Sequence, residues 1–241
     1  MAVTTEIRRS SARFTERYRG RVTHHSFSFG EHYDPERLRL GPMVCHDDHL
    51  LARGQGFETH RHSGLDIVTW VVSGALEHTG PVGPDGATGT VVLEPGSVAV
   101  LRTGSGVEHA EIAVGSQTRF VQVWLTAAAD APEQPSYDVR PVDLDAAAGA
   151  LVPVTEVAGA TLSAARLDTG SKLLIPGGPL THVYVATGAL LRSSLAQPLA
   201  AGDAFVFTDE PAHQVTAAVP TDLLVWTLPT DPTDPMAPAA E

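Results

Sequence analysis

The chain has 241 residues, which is enough for one large domain or for two domains of about 100–120 residues each. Its formal net charge of −12 argues against nucleic-acid binding, because neutralising phosphate groups requires clustered basic side chains and Lys172 is the only lysine. Cys45 is the only cysteine, so an intramolecular disulfide is excluded, and no apolar run approaches the ~18–20 residues of a membrane-spanning helix. We therefore expect a cytoplasmic protein without nucleic-acid or membrane partners.

The first half of the chain alternates short apolar runs with turns, and the whole sequence contains 22 glycines and 18 prolines. Short apolar runs separated by turns are typical of an all-β protein. In the first predicted strand, His25, Phe27 and Phe29 share one face, while Ser26 and Ser28 share the other. The predicted strands of this half are, in chain order, residues 22–29, 55–62, 66–72, 75–78, 91–93, 98–101 and 119–125.

Residues 127–135 are predicted to be a linker, because alanine and proline dominate them. After them the pattern of short strands begins again, and Ser-Gly-Ala-Leu at 73–76 has a counterpart in Thr-Gly-Ala-Leu at 187–190, which indicates an internal duplication. The predicted strands of the second half are residues 161–167, 171–175, 182–186, 189–193, 204–207 and 223–228. We predict an N-terminal domain over 1–130, a C-terminal domain over 136–229 and a disordered tail over 230–241.

Two pairs of candidate metal ligands follow the two-residue period of a strand. His60 and His62 are separated by one residue, as are His109 and Glu111, and this spacing places both side chains of a pair on one strand face. An isolated pair of this kind can equally lie exposed at the surface. Two such pairs on neighbouring strands would direct three imidazoles and one carboxylate at one centre, a donor set that suits iron, copper, nickel or zinc. We therefore predict a site for one divalent transition metal ion.

The residues around these pairs resemble a known family. His-Ser-Phe-Ser-Phe at 25–29, Tyr-Asp-Pro at 33–35, Gly-Gln-Gly-Phe-Glu-Thr-His-Arg-His at 54–62 and Gly-Ser-Gly-Val-Glu-His-Ala-Glu at 104–111 resemble the pirin family of bicupins in type and order. The resemblance covers the first half of the chain and is much looser in the second. It implies two tandem cupin barrels, which are double-stranded β-helix or jelly-roll domains, with a single iron ion in the N-terminal barrel.

The resemblance also implies roles for single residues. The sequence departs from the usual cupin pattern at Asp66, where most cupins have a glutamate ligand. Because pirins take their carboxylate from the second motif, we expect Asp66 to support the site without binding the metal. His25, Phe27 and Phe57 are predicted to lie near the site or line its pocket, and His78 has the same status. The second half has no His-x-His pair, so we expect its barrel to be free of metal. The metal ligands implied by the family are His60, His62, His109 and Glu111.

The function implied by this resemblance is that of a quercetin 2,3-dioxygenase-like oxidoreductase, which uses dioxygen to open the ring of a flavonol and releases carbon monoxide. The metal would be Fe(II), although nickel, copper or zinc could replace it in recombinant material, because the affinity order does not favour Fe(II). Glu111 would also be the catalytic base. Two alternatives stay open: a metal-dependent sensor or transcriptional co-regulator that binds a protein partner, and a cupin isomerase or small-molecule binder. Two barrels in one chain already provide the pairing for which single cupins dimerise, so we expect a monomer.

Overall fold

The computed structural model describes residues 4–83, 86–193 and 197–230. Nearly all regular structure in these ranges is β-strand, which confirms the predicted all-β class, and a 3-10 turn occurs at Ser10–Ala12. The described ranges contain no helix long and apolar enough to cross a membrane. The chain divides into two compact units, an N-terminal unit of residues 13–142 and a C-terminal unit of residues 1–12 and 143–241.

The N-terminal unit consists of two antiparallel sheets. Strand β1 (Thr4–Arg8) precedes this unit. The strands of the unit are β2 (Phe14–Tyr18), β3 (Arg21–His25), β4 (Met43–Ala52), β5 (Gly56–His62), β6 (Leu65–Ser73), β7 (Leu76–Gly80), β8 (Gly89–Leu93), β9 (Ser97–Arg102), β10 (Val107–Ala113), β11 (Gln117–Thr126) and β12 (Ser136–Pro141). A 7-stranded sheet has the order β12-β9-β6-β11-β4-β3-β2, and a 4-stranded sheet has the order β5-β10-β7-β8.

The core of the N-terminal unit lies between its two sheets. Leu51, Val71 and Phe120 of the larger sheet pack with Leu76 and Leu93 of the smaller sheet, and all five are fully buried. Two packed antiparallel sheets with an apolar interior are the arrangement of a jelly-roll barrel. This packing fixes the positions of β7 and of its neighbours β10 and β5, and β5 and β10 carry the candidate metal ligands.

The C-terminal unit repeats the all-β architecture. Strand β1 belongs to this unit. Its other strands are β13 (Val152–Val157), β14 (Ala160–Leu167), β15 (Lys172–Ile175), β16 (Gly178–Thr187), β17 (Ala189–Leu190), β18 (Leu199–Ala200), β19 (Ala204–Glu210), β20 (His213–Thr216) and β21 (Thr221–Thr227). A 6-stranded sheet has the order β1-β19-β16-β21-β14-β13, and β15-β20 and β17-β18 form two smaller pairs. Val183, Phe205, Phe207 and Val225 belong to its apolar core.

The structure divides the chain at a different position from the predicted linker. Strand β12 follows residues 127–135 but pairs with β9 along its whole length, so the division falls after Val142. Strand β1, at the other end of the sequence, pairs with β19 of the C-terminal unit. β1 and β12 are each the outermost strand of a sheet. Each pairs with backbone N–H and C=O groups that would otherwise be unpaired at the sheet edge, and such pairing does not depend on distance along the sequence. The predicted tail over 230–241 lies, apart from its first residue, outside the described residues.

Strand β4 has no counterpart among the predicted strands. Its central residues His46, Asp47, Asp48 and His49 are polar and do not alternate with apolar residues, yet all four are buried. Their partners come from other strands: Asp47 accepts a hydrogen bond of 2.8 Å from His25, and Asp48 forms a two-fold ion pair with the Arg119 guanidinium. Buried polar side chains need such partners, and the partners are not visible in the local sequence.

Candidate metal centre

Two neighbouring strands bring three histidines together. His60 and His62 lie on β5, His109 lies on β10, and the register of these antiparallel strands sets His109 directly opposite His60. The ring centroids of His60 and His109 are 4.4 Å apart, and those of His60 and His62 are 4.8 Å apart. One ligand atom from each of the three residues lies within 4.8 Å of the others. The three histidines therefore form a compact donor group, which we call the outer group because His60 and His62 are only partly buried.

The carboxylate predicted to complete this set belongs to a second donor group. Strand β10 also pairs with β7, and Glu111 lies directly opposite His78. His78, His109 and Glu111 are all buried, and one ligand atom from each lies within 4.8 Å of the others. We call these three residues the inner group. His109 belongs to both groups, so the four side chains expected from the sequence span two overlapping sets of three donors.

The ring nitrogens of these histidines suit a metal ion. The Nε2 atoms of His62 and His78 and both ring nitrogens of His109 are buried and make no hydrogen bond. A buried polar atom without a partner is rare and costs free energy, so several of them together indicate a missing ligand. The Nδ1–H of His60 donates a hydrogen bond to the Glu58 carbonyl over 2.7 Å. Nε2 of His60 is therefore the atom that can coordinate a metal ion.

The protonation states of two of these histidines also favour metal binding. Burial, opposed in part by the charge of Glu111, lowers the pKa of His109 to about 4. Burial likewise lowers the pKa of His62. Both rings are therefore neutral at pH 7, and the neutral imidazole is the form that coordinates a metal ion.

Glu111 is an ionised carboxylate held by an oriented amide. Nε2 of Gln122 donates to both carboxylate oxygens of Glu111, over 2.8 and 3.0 Å, and Nε1 of Trp124 donates to Oε1 of Gln122 over 2.8 Å. The indole N–H can only donate, so it fixes which end of the amide faces Glu111. Burial raises the pKa of Glu111, but the adjacent His78 and His109 and the hydrogen bond from Gln122 outweigh it and lower that pKa to about 2.

An aromatic wall adjoins the outer group. The Trp124 ring meets the His62 ring edge-on at 4.7 Å between centroids, and Phe29 meets Trp124 at 5.7 Å. Phe29 is 39% exposed. Neither Gln122 nor Trp124 was predicted as a site residue. The sequence contained an indication of both residues. Gln122 is flanked by apolar residues on either side, a glutamine buried there requires a partner, and residues 122 and 124 share one strand face.

The other residues predicted to lie near the site differ in their relation to the donor groups. Phe57 meets the His60 ring at 6.4 Å and packs on His49, whereas Phe27 is 1% exposed and belongs to the buried interior. His25 is buried and hydrogen-bonded to Asp47, with Phe29 stacked on its ring at 5.0 Å. Asp66 is buried on β6 and belongs to neither donor group; burial raises its pKa, against the opposing charge of Arg102.

The fold and the donor groups together define a class: a tandem cupin protein with a candidate transition-metal centre in its N-terminal unit. The family model described as Pirin matches residues 7–125. A protein of Mycobacterium tuberculosis named "Putative quercetin 2,3-dioxygenase" is 32% identical over 240 residues, which cover 94% of this chain and 96% of that protein. The chain therefore belongs to the pirin family, as its motifs predicted.

Solved structures support the fold. The bacterial pirin YhhW from Escherichia coli, in complex with nickel(II), has a TM-score of 0.81 at 21% identity, with 95% of this chain and 100% of that chain covered. A quercetin 2,3-dioxygenase from Acinetobacter baumannii has a TM-score of 0.70 at 20% identity, with 92% and 84% covered. These likenesses agree with the predicted tandem cupin fold.

The buried contact between Gln122 and Glu111 gives a first prediction. Gln122→Leu is expected to lower the free energy of unfolding by about 1–3 kcal/mol, because the ionised carboxylate loses its hydrogen-bond donor inside the protein. Gln117→Leu, at an exposed position of the same strand, is the matched control. Urea unfolding of both variants measures the difference. Equal stability of the two variants would show that the hydrogen bonds of Gln122 contribute nothing to the fold.

Proposed function

We propose that this protein is a metal-dependent dioxygenase that opens the ring of a flavonol such as quercetin, with Fe(II) as its metal. The observation that carries the proposal is the outer group of histidines beside a buried, ionised carboxylate, with buried ring nitrogens of His62 and His109 that make no hydrogen bond. The names of the relatives and of one structural neighbour point to the same reaction. In that reaction both atoms of dioxygen enter the product, and one ring carbon leaves with its oxygen as carbon monoxide.

His60, His62 and His109 are the proposed metal ligands, together with Glu111. When bound, a divalent transition metal would polarise a substrate hydroxyl, lower its pKa and supply the redox chemistry that dioxygen requires. Imidazole and carboxylate donors suit iron, nickel, copper and zinc alike, and a structural neighbour contains nickel(II). Fe(II) is proposed for this chain because the resemblance of its motifs to the pirin family implies one iron ion in the N-terminal barrel.

Glu111 is the proposed proton acceptor for the flavonol 3-hydroxyl. A carboxylate whose pKa is about 2 is a weak base, so it can take this proton only from a hydroxyl that is itself made more acidic in the site. Gln122 contributes by holding both carboxylate oxygens in a fixed orientation. Without this orientation, the carboxylate could turn away from the proton that it has to accept.

The aromatic wall of Trp124 and Phe29 is the proposed contact surface for the flat ring system of the substrate. Trp124 packs against the His62 ring, so a planar molecule on this wall would lie next to the histidine donors. Stacked and edge-to-face contacts between aromatic rings contribute about 0.5–1.5 kcal/mol each beyond the area that they bury. A wall of this kind favours aromatic over aliphatic substrates.

The test of the proposed activity is oxygen uptake by iron-loaded protein, prepared without air and then exposed to quercetin in air. We expect oxygen consumption with stoichiometric release of carbon monoxide. The matched control is a flavone that lacks the 3-hydroxyl group and therefore has no proton for Glu111, for which we expect no uptake. Metal-loaded protein that consumes no oxygen with any flavonol would favour the sensor or the isomerase alternative. The expected monomer can be checked on the same sample by light scattering.

A further inference from the structure

His78 is a buried histidine outside the set of metal ligands proposed above, which consists of His60, His62, His109 and Glu111. It lies on β7, is 2% exposed, and its Nε2 atom makes no hydrogen bond. Its Nδ1 atom is 3.8 Å from Oε1 of Glu111, a separation too long for a hydrogen bond. A buried imidazole whose Nε2 has no partner and whose Nδ1 faces a carboxylate at 3.8 Å needs another explanation.

The separations within the inner group match those of ligands around one ion. Two ligand atoms that are each about 2.1 Å from a metal lie about 3.0 Å apart at a right angle and about 4.2 Å apart on opposite sides. The 3.8 Å between His78 and Glu111 falls inside this range. All three ligand atoms of the inner group, including that of His109, lie within 4.8 Å of one another, so small side-chain rotations would complete the set.

The surroundings of His78 keep its ring in this position. Tyr137 stacks on the ring at 4.2 Å between centroids and limits its movement on that side. Gly80 also leaves room for the ring, because a Cβ atom at Gly80 would meet Nε2 of His78 at 2.8 Å and Cβ of His109 at 3.2 Å. Gly80 does not have the positive φ that would require glycine for backbone reasons. Its glycine is therefore explained by the space that the His78 ring occupies.

We propose that His78 is a further metal donor and that His78, His109 and Glu111 form a second, fully buried position for the ion, which shares His109 with the outer group. The proposal rests on the metal centre of the proposed function but not on its dioxygenase activity. We expect one ion per chain, bound in one position or the other. A divalent ion in the inner position is bound by two imidazoles and one carboxylate, a donor set typical of zinc, cobalt and iron sites.

The experiment uses Co(II) as the probe and removes the outer group. His60→Ala/His62→Ala leaves only the inner group intact, and we expect it to bind one Co(II) per chain, more weakly than the unchanged protein. Adding His78→Gln should abolish this binding. Adding His182→Gln instead, which changes a buried strand histidine of the C-terminal unit, should leave it unchanged. Uptake is measured by equilibrium dialysis and visible absorption, with thermal unfolding to show that each variant is folded.

Two results would overturn the proposal: a folded His60→Ala/His62→Ala protein that takes up no Co(II), or uptake that His78→Gln does not change. If His78→Gln prevents folding, Cu(II) bound to the His60→Ala/His62→Ala protein decides the question by electron paramagnetic resonance. Hyperfine splitting from two imidazole nitrogens supports the inner position, and splitting from one contradicts it. None of these measurements involves a flavonol, so a protein without dioxygenase activity can still pass them.

Discussion

His109→Ala is expected to abolish metal binding, whereas His60→Ala and His62→Ala should only weaken it. His109 is the one residue that belongs to both donor groups, so its loss leaves no set of three donors among the described residues. Each of the other two substitutions leaves the inner group complete. The loss should far exceed the ~10–100-fold reduction in affinity that follows removal of a hydrogen-bond partner of a metal ligand. Metal content per chain and competition with a chelator measure both effects.

The control for this prediction is His182→Ala. His182 is as buried as His109 and also lies on a strand, but it belongs to the C-terminal unit and to neither donor group. Its replacement should leave the metal content unchanged even if it lowers stability. Stoichiometric metal in the His109→Ala protein would contradict the assignment of the centre to β5, β7 and β10.

Glu111→Gln is expected to reduce flavonol turnover by ~10²–10⁴-fold, the usual cost of losing a general base. The amide keeps one oxygen that can bind metal, so part of the metal should remain, and turnover has to be compared at equal metal occupancy. The substitution also sets an NH₂ group against the NH₂ group of Gln122, which Trp124 prevents from turning over. We therefore expect a loss of about 1–3 kcal/mol in the free energy of unfolding as well.

Asp66→Asn is the control for Glu111→Gln. Asp66 is a buried carboxylate in the same unit but outside both donor groups, and its raised pKa means that burial disfavours its charge. Replacing its carboxyl group by an amide should therefore have a smaller effect. We expect metal affinity or turnover to fall by at most ~10–100-fold, the cost of losing a residue that supports metal ligands. If Asp66→Asn removed the metal while Glu111→Gln kept full turnover, the carboxylate of the first motif would be the ligand.

Much of the candidate metal centre was predictable because its donor pairs depend on local periodicity. A strand turns its side chains to alternate faces, so the one-residue spacing of His60 and His62, and of His109 and Glu111, determines that each pair shares a face. The short apolar runs and frequent turns likewise determined the all-β class, and the motifs around the histidines identified the family.

The tertiary structure decided what depends on pairing between distant strands. The sequence does not contain the register that sets Glu111 opposite His78, nor the shift in the β5–β10 pairing between His109 and Glu111. These two features divide the predicted ligands between an outer and an inner group. Likewise, the burial of the polar strand β4 depends on partners such as Arg119, far away in sequence. Periodicity fixes which face a side chain takes, but only the assembled sheet fixes what that face meets.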